Sequence, residues 1–308
     1  MFENPLLTTS VIRHPQLEAA KVSLHLLRLD EVHPLISGNK WFKLKYNLLK
    51  ARQEGHDTLL TFGGAYSNHI FATAAAGKEY GFKTIGIIRG EKTEPLNPTL
   101  KFASEQGMQL VYVSREDYRN KDSPRFHDWL VSQFGRCFII PEGGSNTLAV
   151  RGCAEILHLP HAYHYIACCV GTGGTLAGIL ESNQEQAKVL GFSALKGGNF
   201  LYEEVNRLTK AYSGNMYENY RIVEDYHFGG YAKADTELVD FINRFRQEQQ
   251  VQLDPIYTGK MMYGLFDMAA AGYFPQGSRI LAVHSGGLQG IQGFNARYRK
   301  KNLRIIVD

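Results

Sequence analysis

Two lysines three residues apart, Lys40 and Lys43, sit in the run Ser37-Gly38-Asn39-Lys40-Trp41-Phe42-Lys43-Leu44-Lys45, where a glycine turn opens an apolar helical pattern. That spacing sets both on one side of a helix. A lysine amine forms a Schiff base with a carbonyl when its neutral form is reachable near pH 7, and a second cation nearby promotes that form. Lys40 is the candidate amine, and Lys43 supplies the neighbouring charge or holds a phosphate. A lone lysine at a helix start is ordinarily solvated, so the reading depends on what accompanies it.

Three further segments do. Gly171-Thr172-Gly173-Gly174-Thr175 follows the apolar run 165–170 and precedes Leu176-Ala177-Gly178-Ile179-Leu180, giving a strand, a glycine turn and a helix start. Backbone N–H groups and the helix dipole favour a phosphate there, and the hydroxyls of Thr172 and Thr175 add donors. No Lys-Ser/Thr pair closes the loop, and Gly-x-Gly-Gly differs from the dinucleotide fingerprint, so a single phosphate suits it. Gly63-Gly64-Ala65-Tyr66-Ser67-Asn68-His69 also leads from a strand into a helix. Ser67 on its own would be an N-cap, but two glycines permit close backbone approach. Ser67 offers a hydroxyl for proton transfer and Asn68 an amide for a phenolic oxygen. Asp254-Pro255-Ile256-Tyr257-Thr258-Gly259-Lys260 carries Tyr257, and Tyr231 follows Gly229-Gly230. Such tyrosines usually pack, yet a buried phenol near cations can serve as acid or base. Pro141-Glu142-Gly143-Gly144-Ser145-Asn146 and His284-Ser285-Gly286-Gly287 each close a strand with a polar turn, where α/β sheets bind ligands. Each segment is of a kind that a pyridoxal phosphate site requires.

The elements that must hold these segments are short apolar runs alternating with amphipathic stretches, the pattern of parallel sheets with crossover helices. Strands are predicted over 58–62, 84–88, 110–114 and 137–140, with helices over 67–80, 97–106 and 126–134. A second set follows: strands over 165–170, 188–192, 221–223 and 279–284, and helices near 175–181, 200–212, 234–249 and 261–271. At 308 residues the chain exceeds the usual size of one core. The expected organisation is a larger discontinuous domain, 1–46 with 148–308, and a smaller inserted α/β domain, 47–147. The fold class is α/β, two domains, each a mostly parallel sheet flanked by helices.

The net charge of +4 is spread along the chain, which does not indicate nucleic acid as a partner. The one basic cluster, Arg297-Tyr298-Arg299-Lys300-Lys301, reads as a solvated helix end followed by a closing strand. Cys137, Cys153, Cys168 and Cys169 lack metal-ligand spacing, so no metal site is expected; they read as buried free thiols, Cys168 and Cys169 pointing to opposite faces of a strand. No apolar run approaches a membrane span and no secretory leader is evident. A cytoplasmic protein without a membrane partner is expected.

Taken in this order, the segments resemble the 1-aminocyclopropane-1-carboxylate deaminase and D-cysteine desulfhydrase family of pyridoxal phosphate enzymes, over about 27–287. The resemblance implies the two-domain tryptophan synthase β-like fold. It makes Lys40 the lysine that carries the cofactor and Lys43 the one that helps hold its phosphate. It places Ser67 and Asn68 in the second motif and makes Tyr231 and Tyr257 the two active-site tyrosines. It also implies a small amino-acid substrate and a homodimer.

The departures concern specificity. The family usually has an arginine where this chain has Phe42, which would change the mouth of the cofactor pocket. Its cyclopropane-opening members carry Glu after the tyrosine of the Asp-Pro-x-Tyr segment and Leu after the last-strand histidine; this chain has Thr258 and Ser285. Desulfhydrase-type members carry small hydroxyl residues at both. A carboxylate beside the pyridine nitrogen keeps it protonated and the ring a strong electron sink, whereas a hydroxyl leaves it largely neutral. The weaker sink suffices when the β-carbon bears a good leaving group. The expectation is β-elimination from D-cysteine or a related amino acid, giving pyruvate, ammonia and sulfide. The alternatives are cyclopropane deamination to 2-oxobutanoate and ammonia, and a cofactor-binding protein without turnover, which would not need the tyrosines or Ser67.

Overall fold

The computed structural model describes residues 5–157 and 162–307. The chain begins with strand β1 (Thr9–Ile12), helix α1 (Pro15–Ala19), β2 (Ser23–Arg28) and the long helix α2 (Asn39–Gln53). It then builds a four-stranded unit: β3 (Thr58–Gly64), α3 (Asn68–Tyr80), β4 (Lys83–Arg89), α4 (Pro98–Glu105), β5 (Gln109–Val113), α5 (Arg115–Arg119), α6 (Pro124–Phe134) and β6 (Phe138–Ile140). Helix α7 (Thr147–Cys153) returns the chain to the first layer. There follow β7 (Tyr165–Val170), α8 (Gly174–Asn183), β8 (Lys188–Ser193), α9 (Phe200–Ser213), β9 (Tyr220–Val223), α10 (Thr236–Gln249), α11 (Thr258–Ala270), β10 (Arg279–His284) and α12 (Gly290–Arg299).

Two sheets result. The six-stranded one has the order β1-β2-β10-β7-β8-β9, and the four-stranded one β5-β4-β3-β6. Every pairing is parallel except that of β1 with β2. The fold is therefore α/β with two mostly parallel sheets flanked by helices. Strand β7 lies inside the larger sheet and is buried on both faces: Ile166, Cys168 and Val170 join one core, while Tyr165, Ala167 and Cys169 join the other. The two adjacent thiols do point to opposite faces, as the period of a strand demands. In the smaller sheet Leu60, Phe62, Ile85 and Ile87 share a third core with α5 and α6.

The segment before α2 holds two strands that were not anticipated, β1 and β2, which extend the larger sheet. Two expectations need correction. Residues 302–307 form no closing strand. Instead Asn295 donates to and accepts from the backbone of Ile306, and Asn243 accepts from Val307, so side chains rather than a sheet edge satisfy that backbone. Phe42 is 2% exposed and packs in the core between the layers, away from the pocket mouth, because its place on α2 faces α7.

Candidate active site

The carboxyl ends of β3, β4, β6, β7 and β10 deliver their loops to one cavity of about 810 Å³. Ligands in parallel sheets bind at such ends. Lys40, Lys43, Ser67, Asn68, Gly171, Thr172, Gly173, Thr175, Tyr231, Tyr257 and Ser285 all line it.

The floor is made by α2 and the turn after β6. Gly38 caps α2 with φ 68° and ψ −147°, and its N–H donates to Leu29. That geometry aims the first turn of α2 into the cavity. Lys40 Nζ donates to the Gly143 carbonyl at 3.3 Å. Lys43 Nζ donates to the same carbonyl at 3.1 Å, to Ser145 Oγ at 3.0 Å and to Thr172 Oγ1 at 3.4 Å. Burial, and next the charge of Lys43, push the Lys40 amine well below its ordinary 10.5; burial also lowers Lys43. The neutral amine that nucleophilic chemistry needs is thus within reach.

Beside the lysines is an anion cradle. Gly173 precedes α8 in the left-handed region, φ 74°, so the loop turns its amides toward the cavity as the helix begins. Thr172 and Ser145 exchange a 2.5 Å hydrogen bond, and Asn39 donates to Thr175 Oγ1 at 2.7 Å. Gly174 is set just behind: a Cβ there would lie 2.8 Å from Ser145 Oγ and 3.1 Å from Lys43 Nζ.

The opposite wall is the turn after β3. Ser67 Oγ accepts from the N–H groups of His69 and Ile70, so it is an N-cap that also faces the cavity. His69, 1% exposed, was not singled out by the sequence. Thr61 donates its single hydroxyl proton to the Ile140 carbonyl, so its oxygen accepts from His69 Nε2–H at 2.9 Å. Burial and the two lysines keep the imidazole neutral, which leaves Nδ1 as a bare acceptor without a partner among the described residues.

Tyr231 and Tyr257 meet edge to face with ring centroids 6.1 Å apart. Desolvation raises both phenols, Tyr257 well above 10 and Tyr231 at its inward-facing end only, since that residue is 42% exposed, so both stay protonated at neutral pH. Tyr257 stands over the phosphate-type loop: a Cβ on Gly171 would come within 3.4 Å of its ring. Lys260, likewise missed, donates at 2.8 Å to the carbonyls of His227 and Gly230, pinning the turn that presents Tyr231. Burial lowers this ammonium to about 8.

The two specificity positions separate. Ser285 lines the cavity at the end of β10, beside the Cys169 thiol. Thr258 does not: it is fully buried, donates to Asp254 Oδ1 at 2.7 Å and accepts from the Asp254 N–H at 3.1 Å. Asp254 also accepts from the N–H groups of Ile256, Tyr257 and Thr258, so this carboxylate organises the start of α11. Thr258 spends its single hydroxyl proton on Asp254 and does not line the cavity, so it has no proton to donate to a cofactor nitrogen, which corrects its reading as a cofactor contact. Arg89 and Arg115 also line the cavity unannounced by the sequence reading. The available signal was a charged residue at the carboxyl end of a parallel strand.

A family model described as "Pyridoxal-phosphate dependent enzyme" matches residues 3–286. The chain belongs to that family. It is 32% identical, over 86% of its length and 89% of the relative's, to a Thermotoga maritima protein provisionally named 1-aminocyclopropane-1-carboxylate deaminase. It is 29% identical to the bifunctional D-cysteine desulfhydrase/1-aminocyclopropane-1-carboxylate deaminase of Arabidopsis thaliana, over 83% of this chain and 70% of the relative. Among solved structures, an ACC deaminase homologue superposes with a TM-score of 0.81 at 25% identity, over 94% of this chain and 92% of the other. The chain is thus an enzyme of the pyridoxal-phosphate dependent group that includes these deaminases and desulfhydrases. The residues fit that cofactor. Lys43 is a buried ammonium bonded, among the described residues, to neutral oxygens, set against the amides and hydroxyls of the 171–175 loop, which suits a phosphate dianion. Lys40 is a cation-flanked amine one helical turn away. Among the described residues no group of acidic, histidine and cysteine side chains could hold a metal, and no helix is long and apolar enough to cross a membrane.

Proposed function

We propose that the chain catalyses β-elimination from a small β-substituted amino acid of the D-cysteine type, releasing pyruvate, ammonia and the β-substituent, which is sulfide for D-cysteine itself. The observation that carries this reading is the hydroxyl of Ser285, a neutral side chain, at the cavity wall where β10 ends. Pyridoxal phosphate supplies a carbonyl for the amine and a ring that accepts the electron pair left when the α C–H bond breaks. Lys43 and the 171–175 loop hold the phosphate. The Asn68 amide faces the cofactor's phenolic oxygen, and the first amides of α3 with Ser67 hold the substrate carboxylate. Lys40, once displaced by the substrate amine, takes the α-proton. Tyr257 and Tyr231, kept protonated, donate to the departing group, and Ser67 is a second proton carrier. Water then completes release of the nitrogen.

A second reading, cyclopropane deamination to 2-oxobutanoate and ammonia, is favoured by the name given to the Thermotoga relative. Both are tested by assaying pyruvate and 2-oxobutanoate in parallel from D-cysteine, L-cysteine, D-serine and 1-aminocyclopropane-1-carboxylate. Pyruvate from D-cysteine, lost in Lys40→Ala, supports elimination; 2-oxobutanoate from the cyclopropane overturns it. A visible cofactor band with neither product would indicate a binding protein. The same proposal includes 47–147 as an inserted smaller domain and a cytoplasmic homodimer, the latter tested by light scattering.

A further inference from the structure

Two cations in the cavity have no task in the chemistry above. Arg89 ends β4 and Arg115 starts α5 just beyond β5, so parallel pairing of these strands sets them side by side at the ligand end of the smaller sheet. A Cβ on Gly64 would lie 3.6 Å from an Arg89 guanidinium nitrogen, and one on Gly90 would lie 4.0 Å from Arg115 Nε. Arg89 therefore lies beside the turn that leads to Ser67, with Arg115 next to it at Gly90; the Arg89 charge is felt at Tyr231.

Both are exposed to solvent, and neither makes an ion pair among the described residues. The arginines that pair with carboxylates here are Arg28, Arg207 and Arg304. Glu142, which also lines the cavity, pairs with Lys121 at 3.5 Å. Arg297, on the cavity's far side, donates to the Ala232 carbonyl. The Arg89 guanidinium lies over the Tyr118 ring, 5.6 Å from the centroid, a contact that consumes none of its donors. The phosphate already has Lys43 and its loop.

Resting on the elimination reading, the geometry points to Arg89 and Arg115 as the site for a second anionic group, a carboxylate, sulfonate or phosphate borne on the substrate's side chain. The arginines are specificity-determining residues, and the substrate class is an amino acid whose side chain carries an anion. When that group is a β-sulfonate or a β-phosphate ester, it departs with the Cβ bond pair as sulfite or phosphate, the α-proton passes to Lys40, and water converts the remainder to pyruvate and ammonium; a β-carboxylate is held at the arginines but does not leave. No oxidant is needed.

The test uses the cofactor-loaded protein with matched pairs in both enantiomers: aspartate against asparagine, cysteate against cysteine, O-phosphoserine against serine. Binding is read as perturbation of the visible band for all three pairs, and turnover as keto acid for the cysteate and O-phosphoserine pairs. The anionic member of at least one pair should bind and turn over at least tenfold better. That ratio should fall about ten- to hundredfold in Arg89→Gln and in Arg115→Gln, as loss of a charge-assisted hydrogen bond implies. The identity of the preferred pair distinguishes the three anions. Equal losses for neutral and anionic members would mean the arginines hold the common α-carboxylate, and would overturn the proposal. So would unchanged ratios, or a preference for the neutral members. Perturbed bands with the predicted ratios but no keto acid would instead sink elimination while keeping the anion site.

Discussion

Replacing Gly38 by alanine tests how Lys40 is placed. The Gly38 φ of 68° with ψ −147° lies where side chains are strained, which costs about 1–3 kcal/mol. A Cβ there would also sit 1.9 Å from the Ser285 carbonyl oxygen and 2.4 Å from its carbon, both backbone atoms. Reaching an ordinary contact requires the start of α2 and the Ser285 turn to part by about 1.5 Å. The 3.2 Å bond from Asn39 N–H to that carbonyl would then break. Since Lys40 rides on one segment and Ser285 lines the cavity from the other, the variant should lose about 2–4 kcal/mol of stability. A misplacement near 1 Å should lower kcat about a hundredfold. Chemical denaturation of the cofactor-free chain gives the first quantity, and keto-acid release together with cofactor titration gives the others. A variant that unfolds at the wild-type midpoint and binds cofactor with unchanged affinity would refute the steric argument.

Other outcomes follow from the same geometry. Because burial and Lys43 lower Lys40, its neutral fraction rises at lower pH than for a free lysine. The rate of cofactor capture by the apoprotein should climb with pH and level off well below 10.5. Lys43→Met, which removes the repelling charge, should shift that rise to higher pH. Thr258→Val should cost about 2 kcal/mol in denaturation, as loss of a donor to a buried carboxylate does, while leaving the cofactor band in place. Ser285→Ala should do the reverse, moving the band with little loss of stability. Lys260→Met should lower kcat more than it raises KM, because the Tyr231 turn loses two carbonyl clamps; a change in KM alone would argue against that role.

Legibility in the sequence tracked how local the physics is. Strand β7 is buried on both sides, so its apolar run needed no periodicity to be read, and the glycine turn behind it marked a loop that lines the cavity. Strand β2, Ser-Leu-His-Leu-Leu-Arg, was passed over because its alternation is blurred by His25 and two adjacent leucines. Helix α7 was missed for Arg151 and Gly152, yet Gly152 is there for packing: a Cβ on it would meet the Phe42 carbonyl at 1.9 Å. The lysines, Ser67, the loop threonines and both tyrosines were recognisable from type and neighbours. Thr258 was misassigned because its hydroxyl had a nearer partner, Asp254, four residues back. Lys260, His69 and the arginine pair depend on which strand ends and turns the fold brings together, and no local pattern records that.

The neighbouring thiols of β7 make the strand its own reporter. Cys169 borders the cavity, whereas Cys168 is sealed on the other face in the core. A small alkylating reagent followed by peptide mass analysis would therefore compare two adjacent sulfurs, one accessible through the pocket and one only through global opening. Burial raises both thiols, so labelling is slow and read best as a ratio. Occupancy of the pocket becomes a footprint on Cys169, and loss of fold a footprint on Cys168, within a single peptide.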